Sequence, residues 1–244
     1  MKKILLYTLT LFLLASCAKE AGLNYSDKDR VYFAYNYKFL NQIREFDKTI
    51  FSFGMAEEDV KEDTVSIAVK LLGQPADHDR FYKISVLADS TTAIEGVHYK
   101  SISSTQKFKA NLFVDTLKIV VLREALSSSH ITQEKKIISL YIEESEDLGI
   151  GVNKGARTKV EINNYLSEPK WWKSYEGIGL YYYHPEKWKV LMRFNEAFKV
   201  VDSDRPMSQN LTAPYFSALR SYLMANPTYD KETKERVLID RLAP

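Results

Sequence analysis

Residues 64–72 read Thr-Val-Ser-Ile-Ala-Val-Lys-Leu-Leu, and this stretch decides the fold. Val65, Ile67, Val69 and Leu71 alternate with Ser66, Ala68 and Lys70. A period of two places the apolar set on one face of a strand, and Gly73-Gln74-Pro75 ends it. The alternation recurs outward in both directions. Upstream, 31–35 and 49–53 read as short aromatic strands, while 39–46 is ambiguous and reads best as a loop. Downstream come 81–88 with Tyr82, Ile84 and Val86, 112–122 with Leu117, Ile119 and Val121, 135–143 with Ile138, Leu140 and Ile142, and 157–163 with Thr158, Val160 and Ile162. Strands at this spacing, joined by polar turns with no helix between them, predict an antiparallel β-sandwich over residues 30–166. About 135 residues suffice for one core.

From residue 167 to 244 the character changes. All three tryptophans, Trp171, Trp172 and Trp188, and six of the seven prolines lie here. Residues 213–225 carry Tyr215, Phe216, Leu219, Tyr222 and Leu223 at helical spacing, with Pro214 suited to a first turn. Residues 230–242 read as a second helix with Asp230 as N-cap and Thr233 at N3. The mixed stretch 188–200 is read as helix. A mainly β protein with a smaller α-rich C-terminal region results.

The N-terminus is an address. Lys2 and Lys3 precede an apolar run, Ile4–Leu14, too short for the roughly 20 residues that cross a bilayer. It reads as a signal-peptide core over 1–16. Leu14-Ala15-Ser16-Cys17 resembles the bacterial lipobox, and the chain's single cysteine occupies its lipidated position. Two or three acyl chains give the stable anchoring that one cannot, with 17–29 as a tether. Ala18-Lys19-Glu20 lacks the Asp of an inner-membrane retention signal and resembles the surface-export signal of Bacteroidota lipoproteins. The expected location is the outer membrane, with the surface and periplasmic faces both open.

Composition narrows the classes. The 244 residues are 45% hydrophobic and 27% charged, a globular mix. Removing Lys2 and Lys3 leaves 32 basic against 32 acidic residues, so the mature chain lacks the basic surplus of a nucleic-acid binder. One cysteine excludes an intramolecular disulfide and a cysteine-based zinc cluster.

Two motifs carry a family resemblance. Asp89-Ser90-Thr91-Thr92-Ala93-Ile94-Glu95-Gly96-Val97-His98-Tyr99 resembles the A-x-x-G-x-D-Y turn of Calx-β-like domains, which are immunoglobulin-like sandwiches, with His98 where that family usually has Asp. Lys170-Trp171-Trp172, Gly177-Ile178-Gly179 and Tyr183-His184-Pro185-Glu186-Lys187-Trp188 resemble the C-terminal element of DUF4843, a Bacteroidota lipoprotein family of unknown function. The resemblance covers residues 17–244. It implies an immunoglobulin/Calx-β-like sandwich on a cell-envelope lipoprotein, often encoded beside SusC/SusD-type uptake systems, and it brings no catalytic residues.

The residues themselves offer three chemistries. Catalysis lacks a motif. His78, His98, His130 and His184 stand in no metal-ligand spacing such as H-E-x-x-H, and no G-x-S-x-G occurs. Gly149, Gly151 and Gly155 lie between strands, with no helix following as a phosphate loop needs. Glycosidase carboxylates come from distant positions, which leaves a glycan-active enzyme as the lesser alternative. A metal is the second. Glu143, Glu144, Glu146 and Asp147 offer hard oxygen ligands of the kind Ca²⁺ takes, and the resemblance implies Ca²⁺ at loop ends. The preferred reading is a solvated turn that keeps a sheet edge charged. Asp89 is the one further carboxylate available, and His98 in place of Asp weakens the calcium reading. No other cofactor is expected. A sugar platform is the third, with Trp171, Trp172, Tyr182 and Trp188 as its candidates. Most of the aromatic cluster is expected to seal the tail. Adjacent Trp171 and Trp172 cannot both face inward on a regular element, which leaves one for exposure. The expected function is non-catalytic: capture of a ligand such as a glycan, or an accessory role in a SusC/SusD-like system. The alternative is a scaffold or adhesin that binds protein partners.

Overall fold

The structure is a computed structural model that describes residues 28–34, 36–39, 42–45, 48–201 and 203–240. The signal segment, Cys17 and Leu242 lie outside the described residues.

Two sheets face each other. The first runs in the order β10 (Gly149–Ile150), β1 (Arg30–Phe33), β5 (Glu62–Leu72), β8 (Val114–Leu122). The second runs β4 (Lys48–Ser52), β11 (Arg157–Asn163), β9 (Lys135–Glu143), β6 (Arg80–Val86), β7 (Thr105–Phe108). The alternation in 64–72 works as expected. Val65, Ile67, Val69 and Leu71 are buried, and β5 pairs with β8 so that Val65 opposes Ile119 and Ile67 opposes Leu117. From the facing sheet, Ile84, Ile138, Leu140, Ile142, Val160 and Ile162 complete the core.

Two expectations need correction here. The sandwich is not wholly antiparallel, since the edge strands β10 and β4 join β1 and β11 in parallel. The described part of 39–46, Phe39 and Gln42–Glu45, is not a loop; it belongs to two paired strands, β2 (Asn36–Phe39) and β3 (Gln42–Glu45). β7 and β10 carry no alternating apolar set and so leave no strand signal in the sequence. β10 is two residues long, and the Gly149 and Gly151 amides flanking it donate to the Asp29 and Val31 carbonyls. His98, in the turn resembling the Calx-β motif, is buried and accepts from the Ile94 amide through Nδ1 at 2.9 Å. That acceptor role is one a carboxylate also fills.

A second core follows residue 165. Trp171, Trp172, Tyr175, Leu180, Trp188, Leu191, Phe198, Phe216, Leu219 and Leu223 pack together. Helix α1 (Pro185–Phe194) covers only part of 188–200, because Asn195 turns extended and a 3₁₀ turn, Glu196–Lys199, succeeds it. Helix α2 (Gln209–Ala225) starts earlier than expected, which puts Pro214 inside it rather than in its first turn. The helix expected over 230–242 is absent from its described part. Asp230 does accept from the Thr233 amide as an N-cap would, but Lys234 adopts a positive φ of 65° and the chain turns back, so that Tyr229 bridges to Arg236. Among the described residues no helix is long and apolar enough to cross a membrane.

Candidate functional site

The sandwich and the second core meet at a cleft of about 1130 Å³. One wall comes from 54–61 and Arg123 of the sandwich, the other from α1 and the 228–237 hairpin. Position matters here. The cleft lies at the Glu62 end of β5, where the Arg123 amide donates to the Lys61 carbonyl. The chain enters the fold at the other end, where Asp29 accepts from the Gln74 amide and pairs with Arg80. β5 has 11 residues, so the two ends stand about 33 Å apart at 3.3 Å per residue.

Three segments converge on the cleft floor. His184 is the N-cap of α1; its Nδ1 accepts from the Glu186 amide at 3.2 Å, so its proton sits on Nε2 and points at Asp230 Oδ2, 2.8 Å away. Asp230 is fixed by its own turn, Oδ1 accepting from the Glu232 and Thr233 amides at 2.6 and 2.7 Å. His130 reaches in from the β8–β9 loop. Its Nε2 lies 3.2 Å from Asp230 Oδ2 and its Nδ1 2.8 Å from Glu232 Oε1. Glu232 in turn accepts from the His130 amide and the Ser129 hydroxyl, which ties the sandwich loop to the hairpin. The His184 and Asp230 side chains are 3% and 1% exposed, whereas His130 is 23% exposed.

Electrostatics follow from that burial. Burial pushes His184 below its ordinary value, and the Asp230 hydrogen bond offsets only part of this. Burial alone would raise Asp230, but the Thr233 amide, His184, the Glu232 amide and His130 hold it down at about 2. Glu232 is also lowered, since Ser129 and His130 outweigh its desolvation.

The sequence-derived candidates fall elsewhere. Trp171, Trp172 and Trp188 are 0–1% exposed and present no face to a sugar. The argument that one of the adjacent pair must be exposed fails because 171–172 enters a 3₁₀ turn. There the two rings stack at 5.4 Å and both point inward. Each indole N–H donates to a backbone carbonyl: Trp171 to Val200, Trp172 to Tyr181, Trp188 to Phe198. Tyr182 is half-buried; its hydroxyl donates to the Leu238 carbonyl at 2.9 Å, and burial pushes it up to about 12. Glu143, Glu144, Glu146 and Asp147 are exposed around a tight turn, in which Asp147 accepts from the Phe81 amide. Among the described residues their ligand atoms do not converge as a metal site requires; those of His130, His184 and Asp230 lie close enough that they could hold one. No local spacing announces these three, and Asp230 entered the sequence reading only as a helix cap.

Fold and cleft together define a β-sandwich protein whose second, aromatic core closes a polar cleft. The chain belongs to DUF4843, a domain of unknown function, whose family profile matches residues 25–196. No curated protein matches it. Among solved structures it is similar to the apo form of the Calx CBD1 domain, at 14% identity over 57% of this chain and 98% of that one, with a TM-score of 0.37. It is similar to a candidate carbohydrate-binding protein from Bacteroides ovatus ATCC 8483, at 12% identity, 57% and 38% coverage, and a TM-score of 0.38. A two-domain protein of unknown function from Bacteroides fragilis NCTC 9343 shows 16% identity, 59% and 49% coverage, and a TM-score of 0.36. The chain thus spans less than half the length of either Bacteroides protein.

Proposed function

We propose that this protein is a non-catalytic capture module of the cell envelope, tethered through a lipidated Cys17 and holding a polar ligand, a glycan, in the cleft between its two cores. The observation that carries this reading is the placement of the cleft at the far end of β5 from Asp29, which leads to the tether. A membrane-anchored sandwich would then hold the cleft away from the bilayer.

The lining supports a hydroxyl-rich ligand. Asn164, Lys189, Arg193, Glu58 and Glu186 supply donors and acceptors of both signs. The volume is slightly above the usual range of about 300–1,000 Å³ for small-molecule pockets, which suits an oligomer better than a single sugar. An accessory place beside a SusC/SusD-type transporter fits the same geometry.

The test is a glycan panel titrated calorimetrically against the full chain in detergent. Met192, half-buried in the cleft wall, is replaced by Trp in a second preparation to fill the cleft. Saturable binding of one glycan class, lost in Met192→Trp, is the expected result. Heats that are flat across the panel with folded protein would sink the capture reading. Separately, Cys17→Ala should leave the membrane fraction; sedimentation like the wild type would refute the lipid anchor.

A further inference from the structure

We propose that His130, His184 and Asp230 bind a single transition-metal dication of the zinc type at the floor of the cleft. This site does not depend on what the cleft captures.

The donor geometry comes first. One ligand atom from each residue lies within 4.8 Å of the other two. Asp230 Oδ2 stands 2.8 Å from His184 Nε2 and 3.2 Å from His130 Nε2. A zinc ion with bonds of about 2.0–2.2 Å holds tetrahedral ligands roughly 3.3–3.6 Å apart, so side-chain shifts of about an ångström complete the site. The donor set is selective. Two imidazoles and one carboxylate suit zinc and its neighbours, whereas Ca²⁺ and Mg²⁺ take oxygen. Three protein ligands leave a fourth position, and since all three residues line the cleft, water or a ligand group can reach it.

The surroundings hold the donors in place for a metal. Glu232 Oε1 lies 2.8 Å from His130 Nδ1 and is itself fixed by the His130 amide and the Ser129 hydroxyl. A carboxylate on one ring nitrogen fixes the tautomer and leaves the lone pair on the other, as in most metal-bound histidines. Here that lone pair is on Nε2, and it faces the Asp230 oxygen at 3.2 Å. Two lone pairs at that distance repel unless a cation lies between them, either the second proton of an imidazolium or a metal ion that replaces that proton. Asp230 Oδ1 is occupied by two backbone amides, which aims Oδ2 at the gap.

One contact works against the metal. For His184 Nε2 to ligate, its proton must move to Nδ1, which ends the 3.2 Å bond from the Glu186 amide. Losing one such cap costs about a factor of ten in an equilibrium constant. That is small beside the affinity three convergent ligands provide. Because the ligands come from the β8–β9 loop, the start of α1 and the 228–237 hairpin, the metal would also clamp the second core to the sandwich.

The test uses the full chain in detergent, stripped with a chelator and dialysed, with Zn²⁺ alone as the probe. Equilibrium dialysis with metal analysis should give one zinc per chain, and Co²⁺ should produce a tetrahedral visible spectrum. Asp230→Asn and His130→Ala should each weaken binding by about 100-fold or more, and Glu232→Gln by about 10–100-fold. Asp230 also shapes its turn, so His130→Ala, on a partly exposed loop, is the decisive variant; unchanged tryptophan emission shows that it is folded. A folded wild-type chain that takes up no zinc at micromolar free metal overturns the proposal. Zinc uptake undiminished in His130→Ala overturns it equally.

Discussion

Replacing Lys187 by Met tests what holds the second core together. Lys187 is completely buried, and its ammonium donates to three carbonyls, those of Leu180, Tyr182 and Ile239. The Tyr182 ring covers the nitrogen at 3.9 Å from its centroid. One side chain thus ties the turn before α1 to the segment around Ile239 that follows the 228–237 hairpin. Met fills the same channel without charge. Each carbonyl left without its charged donor costs about 1.5–3 kcal/mol, and a desolvated cation–π contact adds about 2. Relief of the ammonium's desolvation, several kcal/mol, works the other way. The balance is a net loss of about 2–4 kcal/mol. At about 2–4 °C per kcal/mol for a chain of this size, the unfolding midpoint at pH 6, where Lys187 is charged in the folded chain, should fall by about 5–15 °C.

The readout is specific, because all three tryptophans sit in the second core and the sandwich contains none. Tryptophan emission on heating therefore follows the unit that Lys187 holds, and far-UV circular dichroism follows the sandwich as well. A pH series sharpens the test. Burial pushes Lys187 down to about 7, against the opposing pull of Asp240 and Glu176, while the unfolded value is about 10.4. Between those values the unfolded chain binds more protons, so stability rises with pH. The wild type should gain about 1–2 kcal/mol from pH 7.5 to 9 in the tryptophan-detected transition, and Lys187→Met should lack that slope. A Met variant that melts within about 1 °C of wild type at pH 6, below the folded value of about 7 and so with Lys187 as an ammonium, would show that the three hydrogen bonds only offset the desolvation, and the clamp argument would fail.

Three further outcomes follow from packing. A Cβ on Gly54 would stand 2.4 Å from the Tyr165 carbonyl oxygen and 2.8 Å from the Leu166 amide, both backbone, so Gly54→Ala should cost about 1–3 kcal/mol in urea unfolding; a neutral result would mean the 54 and 165 segments can part freely. Trp188→Phe strands the Phe198 carbonyl, now bonded at 2.7 Å, and opens a small void, for a loss of about 2–4 kcal/mol read by the remaining two tryptophans. His98→Ala leaves the Ile94 amide without its acceptor; circular dichroism should register about 1–2 kcal/mol, and His98→Asn should restore part of it.

The fold was readable where one face of a strand is buried and the other is wet. β5 and β8 carry a strict period of two, because each inward residue meets the facing sheet. β10 was not readable, because its pairing is supplied by the free edge of β1 rather than by its own side chains. The helix assigned to 230–242 failed for a local reason. An N-cap and a tight turn make the same first bond, from Asp230 to the Thr233 amide, and only the conformation of Lys234 four residues on separates them.

The candidate site was hidden by a different cause. His130, His184 and Asp230 each have a sufficient local explanation: a loop residue, the cap before Pro185, and a turn former. Only the packing of the second core against the sandwich loop makes them a cluster. The same packing removes the aromatic platform, since the rings that looked available for a ligand are what drives the second core to close. Once Trp171, Trp172 and Trp188 are sealed inside, the residues left facing the junction are mostly polar, and the junction becomes a cleft rather than a filled interface. The aromatic segment therefore bears on function through closure. It brings His184 and Asp230 to the loop that carries His130, and any change that loosens the second core should weaken both the cluster and whatever the cleft holds.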